Sequence, residues 1–239
     1  MTRLAYLVHV YTATGAVWAL LSLIAIDAFD YRLALMWLVV ATFVDATDGW
    51  LARWARVDRH ATLINGARLD DIVDYATYVL APGVLLLHAG RLPSGWIGVT
   101  VVCGMLLASA LGFTRQDAKT TDHFFTGFPS YWNIVALYVL AADIGQEVTA
   151  IVVVALSVMV LVPIKFVYPS RTETWQALTV TGCAIWGVQV LAMIWWMPDV
   201  PAWLLWTSWI YPAYYVGLSL ALSARRPGAG EAGGAGAVS

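Results

Sequence analysis

Apolar residues fill the chain in blocks of about 20, the length that crosses a hydrocarbon core, and each block ends at a short charged or Pro/Gly-bearing break. The pattern predicts eight spans, near 5–29, 31–54, 67–88, 93–114, 129–145, 147–167, 173–197 and 200–224. The breaks fall at Asp30-Tyr31-Arg32, His88 to Gly95, Arg115 to Pro129, Asp143 to Glu147, Tyr168 to Glu173, and Met197 to Pro201. The expected fold class is all-α, a polytopic membrane helix bundle of about eight transmembrane helices. Residues 1–226 read as one integral membrane domain, and the Gly/Ala-rich stretch 227–239 as a disordered tail.

Composition agrees: 61% of residues are hydrophobic and 12% charged, well below the quarter or so of charged residues in soluble domains. The first block is too long and too rich in Tyr, His and Thr for a signal-peptide core, so it reads as a retained helix. Cys103 and Cys183 lie inside apolar blocks and read as small core residues. A net charge of −2 with no basic cluster gives no nucleic-acid surface.

Eight spans put both termini on one side. The loops and ends of that side hold Arg3, Arg53, Arg56, Arg59, Arg68, Arg115, Lys119, Lys165, Arg171, Arg225 and Arg226, leaving only Arg32 and Arg91 opposite. The positive-inside rule makes that side cytoplasmic, with both termini there. Trp96, Trp175, Trp195, Trp196 and Trp203 fit an interfacial aromatic belt, and Asp27 and Asp30 a hydrated outer loop.

Against this background four aspartates stand out. The segment reads Asp45-x-x-Asp48-Gly49-x-x-Ala52-Arg53, then twelve residues, then Gly66-x-x-x-Asp70-x-x-x-Asp74. An aspartate deep in a membrane helix costs about 2.5–3.5 kcal/mol on insertion scales, a penalty that bound cations would offset. On a helix Asp45, Asp48 and Ala52 share a face, as do Gly66, Asp70 and Asp74, while Asp71 points about 100° away. At ~1.5 Å per residue Asp48 lies ~8 Å inside Arg53 and Asp74 ~12 Å inside Gly66, so the two carboxylate pairs meet at similar depth if the helices are antiparallel neighbours. Hard oxygen donors suit Mg²⁺ or Mn²⁺ and a substrate phosphate. Gly49, Ala52 and Gly66 leave bare backbone against which a flat group can lie, or against which helices pack. Pairing of the aspartates with Arg53, Arg56 and Arg68 is the structural alternative.

The eight-position pattern resembles that of the CDP-alcohol phosphotransferases. The resemblance implies Asp45, Asp48 and Asp70 as metal ligands, Asp74 as general base and further ligand, and Gly49, Ala52, Arg53 and Gly66 as the lining of the CDP pocket. It also implies a homodimer. The gap between Arg53 and Gly66 is longer than is usual in the family. That gap, the stretch from Phe124 to Asn133 and the eight-span layout are similar to a bacterial branch whose acceptor is choline. The expected reaction is transfer of a phosphatidyl group from CDP-diacylglycerol to choline with release of CMP. Choline has no N–H donor and is held by aromatic faces. Candidates are Tyr75, Tyr78, Tyr131, Trp132 and Asn133, then Phe128, Tyr168 and Trp175, each also open to anchoring or core packing.

Arg115, Lys119, Lys165 and Arg171 read as orienting charges more than phosphate ligands, and His9 and His123 as structural or solvated. The rival readings keep the chemistry and change the acceptor to serine, inositol phosphate or glycerol phosphate, or turn the aspartates into a divalent-cation transporter. Transporter sites favour mid-membrane, broken helices and internal repeats, none of which the sequence displays.

Overall fold

A computed structural model of the protein describes residues 2–115, 124–167 and 175–225. Helix α1 (Thr2–Asp27) turns into α2 (Tyr31–Trp54), where the Asp30 side chain accepts the Leu33 backbone N–H at 2.9 Å. Asp30 is therefore a helix cap and not merely a hydrated loop residue. Along α1 the buried side carries His9, Thr12, Gly15, Ala19 and Ser22, while Leu7, Val10, Leu20 and Ile24 are more than half exposed. A helix that turns its large aliphatic residues outward and its small and polar ones inward suits lipid, not water.

After α2 the chain makes a left-handed turn at Arg56 (φ 49°), a single helical turn α3 (Val57–His60), and enters α4 (Gly66–Asp74), whose first turn is capped by Asn65. Helix α4 runs on through a π-helical turn (Tyr75–Leu80) into α5 (Ala81–His88), giving one rod from Gly66 to His88. Pro82 accounts for the wider turn. It has no N–H to give to Tyr78, and its ring would crowd that carbonyl in α winding. At Gly15 an added Cβ would lie 2.3 Å from Val73 Cγ1, so α1 and α4 approach as closely as they do only over glycine.

The second half comprises α6 (Trp96–Thr114), strand β1 (Phe124–Thr126), α7 (Trp132–Ala141), α8 (Gln146–Leu161), strand β2 (Lys165–Val167), α9 (Gln176–Trp196), α10 (Ala202–Ser208) and α11 (Ile210–Arg225). Among the described residues four helices, α1, α2, α6 and α9, are long and apolar enough to cross a membrane unaided. Three expected spans differ in detail. The fifth contains only the ten residues of α7, ~15 Å of helix against a hydrocarbon thickness of ~30 Å. The sixth stops at Leu161 because Val162 precedes Pro163 and is extended. Its expected end instead forms β2, antiparallel to β1, with Thr126 opposite Lys165. The eighth breaks at Trp209, ahead of Pro212 in the first turn of α11.

The apolar core is built mainly from α2, α5, α6, α7 and α9, with Leu35, Leu85, Met105, Trp132, Leu137 and Met193 almost fully buried. Cys103 and Cys183 are free and exposed, so they belong to the outward surface and not to this core. On the face opposite the aspartates, Arg91 is ion-paired with Asp143, and Gln146 donates to the Gly90 carbonyl.

Candidate active site

Helix α1 packs on both α2 and α4, and α2 meets the rod chiefly at the π turn. The aspartate-bearing helices therefore converge at one level and leave space between them toward Arg53 and Gly66. At the convergence, one carboxylate oxygen from each of Asp45, Asp70 and Asp74 lies within 4.8 Å of the other two. Two unit charges ~5 Å apart repel by about 3 kcal/mol at an effective dielectric of ~20, so three ionised groups held this close need compensation. Three hard oxygen donors at this separation fit a divalent cation. Asp71 is outside the trio, as the helical phase requires.

Asp48 plays a different part from its three neighbours. It is buried, lies outside the trio, and accepts a 2.8 Å hydrogen bond from Thr12 Oγ1 of α1. Asp45 accepts a 2.8 Å bond from the Tyr78 hydroxyl, which the π turn brings back toward α2.

Beside the trio lies an open cavity of about 850 Å³. Gly49, Ala52, Arg53 and Gly66 all line it, together with Asp48 and Asp70. Val8, His9 and Thr12 of α1 form a third wall, and the connection from Arg56 to Ile64 lines the remaining side. The Arg53 guanidinium passes over Gly49, with Nη1 3.5 Å from where a Cβ would stand. The long Arg53–Gly66 gap is thus cavity wall. A volume of this size accommodates a nucleotide.

The aromatic candidates separate into two groups. Tyr78 and Tyr131 are in tilted contact, ring centroids 6.0 Å apart and planes at 54°, with the Tyr78 hydroxyl on Asp45. Tyr75 instead donates to the Leu106 carbonyl and packs edge-on against Phe113. Trp132 is fully buried, gives its indole N–H to Ser109 at 2.8 Å and carries Phe128 on its ring. Asn133 ties α7 to α2 by donating to Thr42. Tyr75, Trp132 and Asn133 therefore do core work. Arg115 donates to the Leu161 carbonyl at the end of α8, and Trp175 is largely exposed. Lys119, His123, Tyr168, Arg171 and the tail from Arg226 lie outside the described residues.

Sequence reasoning missed Thr12, and it gave His9 no place in the cavity wall. Their only local signal is a polar and small series at three-residue spacing, His9, Thr12 and Gly15, on an otherwise apolar helix.

Comparison with known proteins bears on this geometry. The family model for CDP-alcohol phosphatidyltransferase matches residues 3–163, from the start of α1 to just beyond α8. Phosphatidylcholine synthase of Legionella pneumophila is 37% identical over 226 residues, 92% of this chain and 87% of that protein. Phosphatidylcholine synthase of Pseudomonas aeruginosa is 35% identical, covering 91% of each chain. That of Borreliella burgdorferi is 35% identical over 79% of this chain and 82% of its own. The chain belongs to the CDP-alcohol phosphatidyltransferase family and is a membrane-embedded phosphatidyltransferase.

Proposed function

We propose that this enzyme makes phosphatidylcholine, transferring the phosphatidyl group of CDP-diacylglycerol to choline and releasing CMP. One observation carries the reading: carboxylate oxygens of Asp45, Asp70 and Asp74 converge, and Asp70, with Asp48, also lines a nucleotide-sized cavity bordered by Gly49, Ala52 and Gly66. The full-length similarity to phosphatidylcholine synthases favours choline over serine, inositol phosphate or glycerol phosphate as the acceptor.

Asp45, Asp70 and Asp74 would hold Mg²⁺ or Mn²⁺, with Asp48 as a further ligand once its bond to Thr12 is shared. When bound, the metal supplies charge compensation for the donor pyrophosphate and the departing CMP. The protein's own groups do the rest. Gly49, Ala52, Arg53 and Gly66 would seat the CDP moiety so that the phosphorus attached to the lipid faces Asp74. Asp74 would accept the choline hydroxyl proton as that oxygen bonds to phosphorus and the bond to the CMP oxygen breaks. A carboxylate is a weak base for an alcohol, so alignment contributes more than proton removal. Tyr131, packed at a tilt against Tyr78 beside Asp45, and Tyr78 itself are the aromatic groups that would meet the trimethylammonium group.

The charge asymmetry of the loops supports an inner-membrane enzyme with both termini and the cavity mouth on the cytoplasmic side. Residues 1–226 would form its single membrane domain, working as a homodimer, with 227–239 a tail.

The purified protein supplied with CDP-diacylglycerol, Mn²⁺ and each labelled alcohol in turn tests the reading. Choline should give labelled lipid and equimolar CMP. Strong turnover of serine with none of choline would reject the acceptor, and metal uptake into vesicles without CMP formation would reject the enzyme.

A further inference from the structure

His9 is 5% exposed and lies in the wall of the cavity, yet its Nε2 has no hydrogen-bond partner among the described residues. A buried polar atom left unmatched is costly unless something outside the chain completes it. Its ring edge is also tightly placed. His9 Cε1 lies 3.1 Å, and Nδ1 3.6 Å, from the point where a Cβ on Gly66 would stand. Glycine at 66 thus makes room for the imidazole as well as for any ligand.

Depth along the helices identifies what would meet it. Thr12 is bonded to Asp48, which places that turn of α1 level with the carboxylates. His9 is three residues, ~4.5 Å, nearer the mouth, level with Gly66 and one turn outside Asp70. On the reading above, the pyrophosphate lies at the carboxylates and the nucleoside lies outward of it, among the small residues. His9 therefore stands beside the sugar and base, and beyond reach of the reacting phosphorus.

We propose that His9 is a recognition residue for the donor nucleotide, its imidazole completing its hydrogen bonding on the ribose or base of the cytidine. The idea rests on the proposed use of a CDP-linked donor and adds a contact from α1, outside the aspartate motif. His9 takes no part in proton transfer to or from choline. An imidazole can donate or accept at either nitrogen according to its tautomer, so it can pair with a ribose hydroxyl or with a polar edge of cytosine.

The test is CMP binding to the full-length protein in nanodiscs with Mn²⁺, measured by calorimetry alongside steady-state kinetics. His9→Phe keeps ring size and removes both nitrogens. It should weaken CMP binding and raise KM for CDP-diacylglycerol about tenfold, leaving KM for choline and the melting temperature unchanged. His9→Gln, which restores a polar group, should stay within about threefold of the parent. Wild type should prefer CMP over dCMP if the contact is to the 2′-hydroxyl, or over UMP if it is to the base, and His9→Phe should lose that preference. Should His9→Phe fold poorly, ¹⁵N-histidine-labelled wild type decides, since CMP and not inorganic phosphate must shift the His9 ring nitrogens. Parental CMP affinity in a folded His9→Phe, or no shift at His9, would overturn the proposal. Failure of wild type to bind CMP at all would instead overturn the donor reading on which it stands.

Discussion

Replacing Tyr78 by phenylalanine separates the two roles that the proposed function gives to one side chain. The hydroxyl donates to Asp45 at 2.8 Å, whereas the ring stands 6.0 Å from that of Tyr131. A hydrogen bond to a charged group contributes about 1.5–3 kcal/mol, and 1.36 kcal/mol is a factor of ten, so the lost bond corresponds to roughly 10- to 150-fold. The loss should fall on the metal, because Asp45 would no longer be held in its ligating orientation and substitutions behind metal ligands typically cost 10- to 100-fold. Tyr78→Phe is therefore expected to raise the half-saturating Mn²⁺ concentration by about 10- to 100-fold, with most activity recovered at high metal and KM for choline little changed. Tyr78→Leu should show the same metal defect and a raised KM for choline as well. Titration of activity against free Mn²⁺ at fixed substrates reads the first effect, and titration against choline at saturating metal reads the second. If Tyr78→Phe shows the parental metal dependence, the bond to Asp45 does not position a metal ligand and the assignment of the trio weakens with it.

Asp70→Asn should abolish CMP release, whereas Asp71→Asn should leave much of it, since Asp71 is outside the carboxylate trio; equal and severe loss at both would show that the assigned helix face is wrong. Tyr131→Leu should raise KM for choline by about 2- to 30-fold, the equivalent of 0.5–2 kcal/mol for one aromatic contact with a cation, and leave KM for CDP-diacylglycerol unchanged. Gly127 adopts φ +86° and a Cβ there would lie 2.2 Å from the Val160 carbonyl oxygen, so Gly127→Ala should lower stability by more than the ~1–2 kcal/mol of left-handed backbone strain alone, seen as a drop in melting temperature. An unchanged melting temperature would mean that the approach of residues 127–128 to the end of α8 is not needed in the folded protein.

Much of the site was legible in the sequence because its key spacings are local. Three- and four-residue steps within α2 and α4 fix which carboxylates share a face, and hydropathy alone says that those faces need a polar occupant. The third wall was not legible. Thr12 and Asp48 are 36 residues apart, and nothing in α1 by itself ties a threonine or a histidine to a distant aspartate. Three acceptor-site candidates could not be told from core residues for a related reason: Tyr75, Trp132 and Asn133 have polar partners on α6 or α2 that no pattern in their own segments reveals. The helix ends misjudged in the second half trace to Pro163 and Pro212, whose effects on neighbouring residues outweigh the apolar run around them.

The π turn at Tyr75–Leu80 divides one rod into two rotational settings. Upstream of it the angular position of each residue answers to the carboxylates, while downstream it answers to Leu85 and Leu86 in the apolar interior. A π turn holds about one residue more than α winding would over the same stretch, so removing one residue here would restore ordinary winding and leave the two sides in nearly the same relative phase. The carboxylates and the interior would keep their settings, while the side chains of the widened turn, Tyr78 among them, would be re-aimed away from Asp45. A one-residue loss in the regular winding on either side has no such slack and would turn Asp70 and Asp74 by about 100° relative to Leu85 and Leu86, so what this rod must conserve is phase more than length.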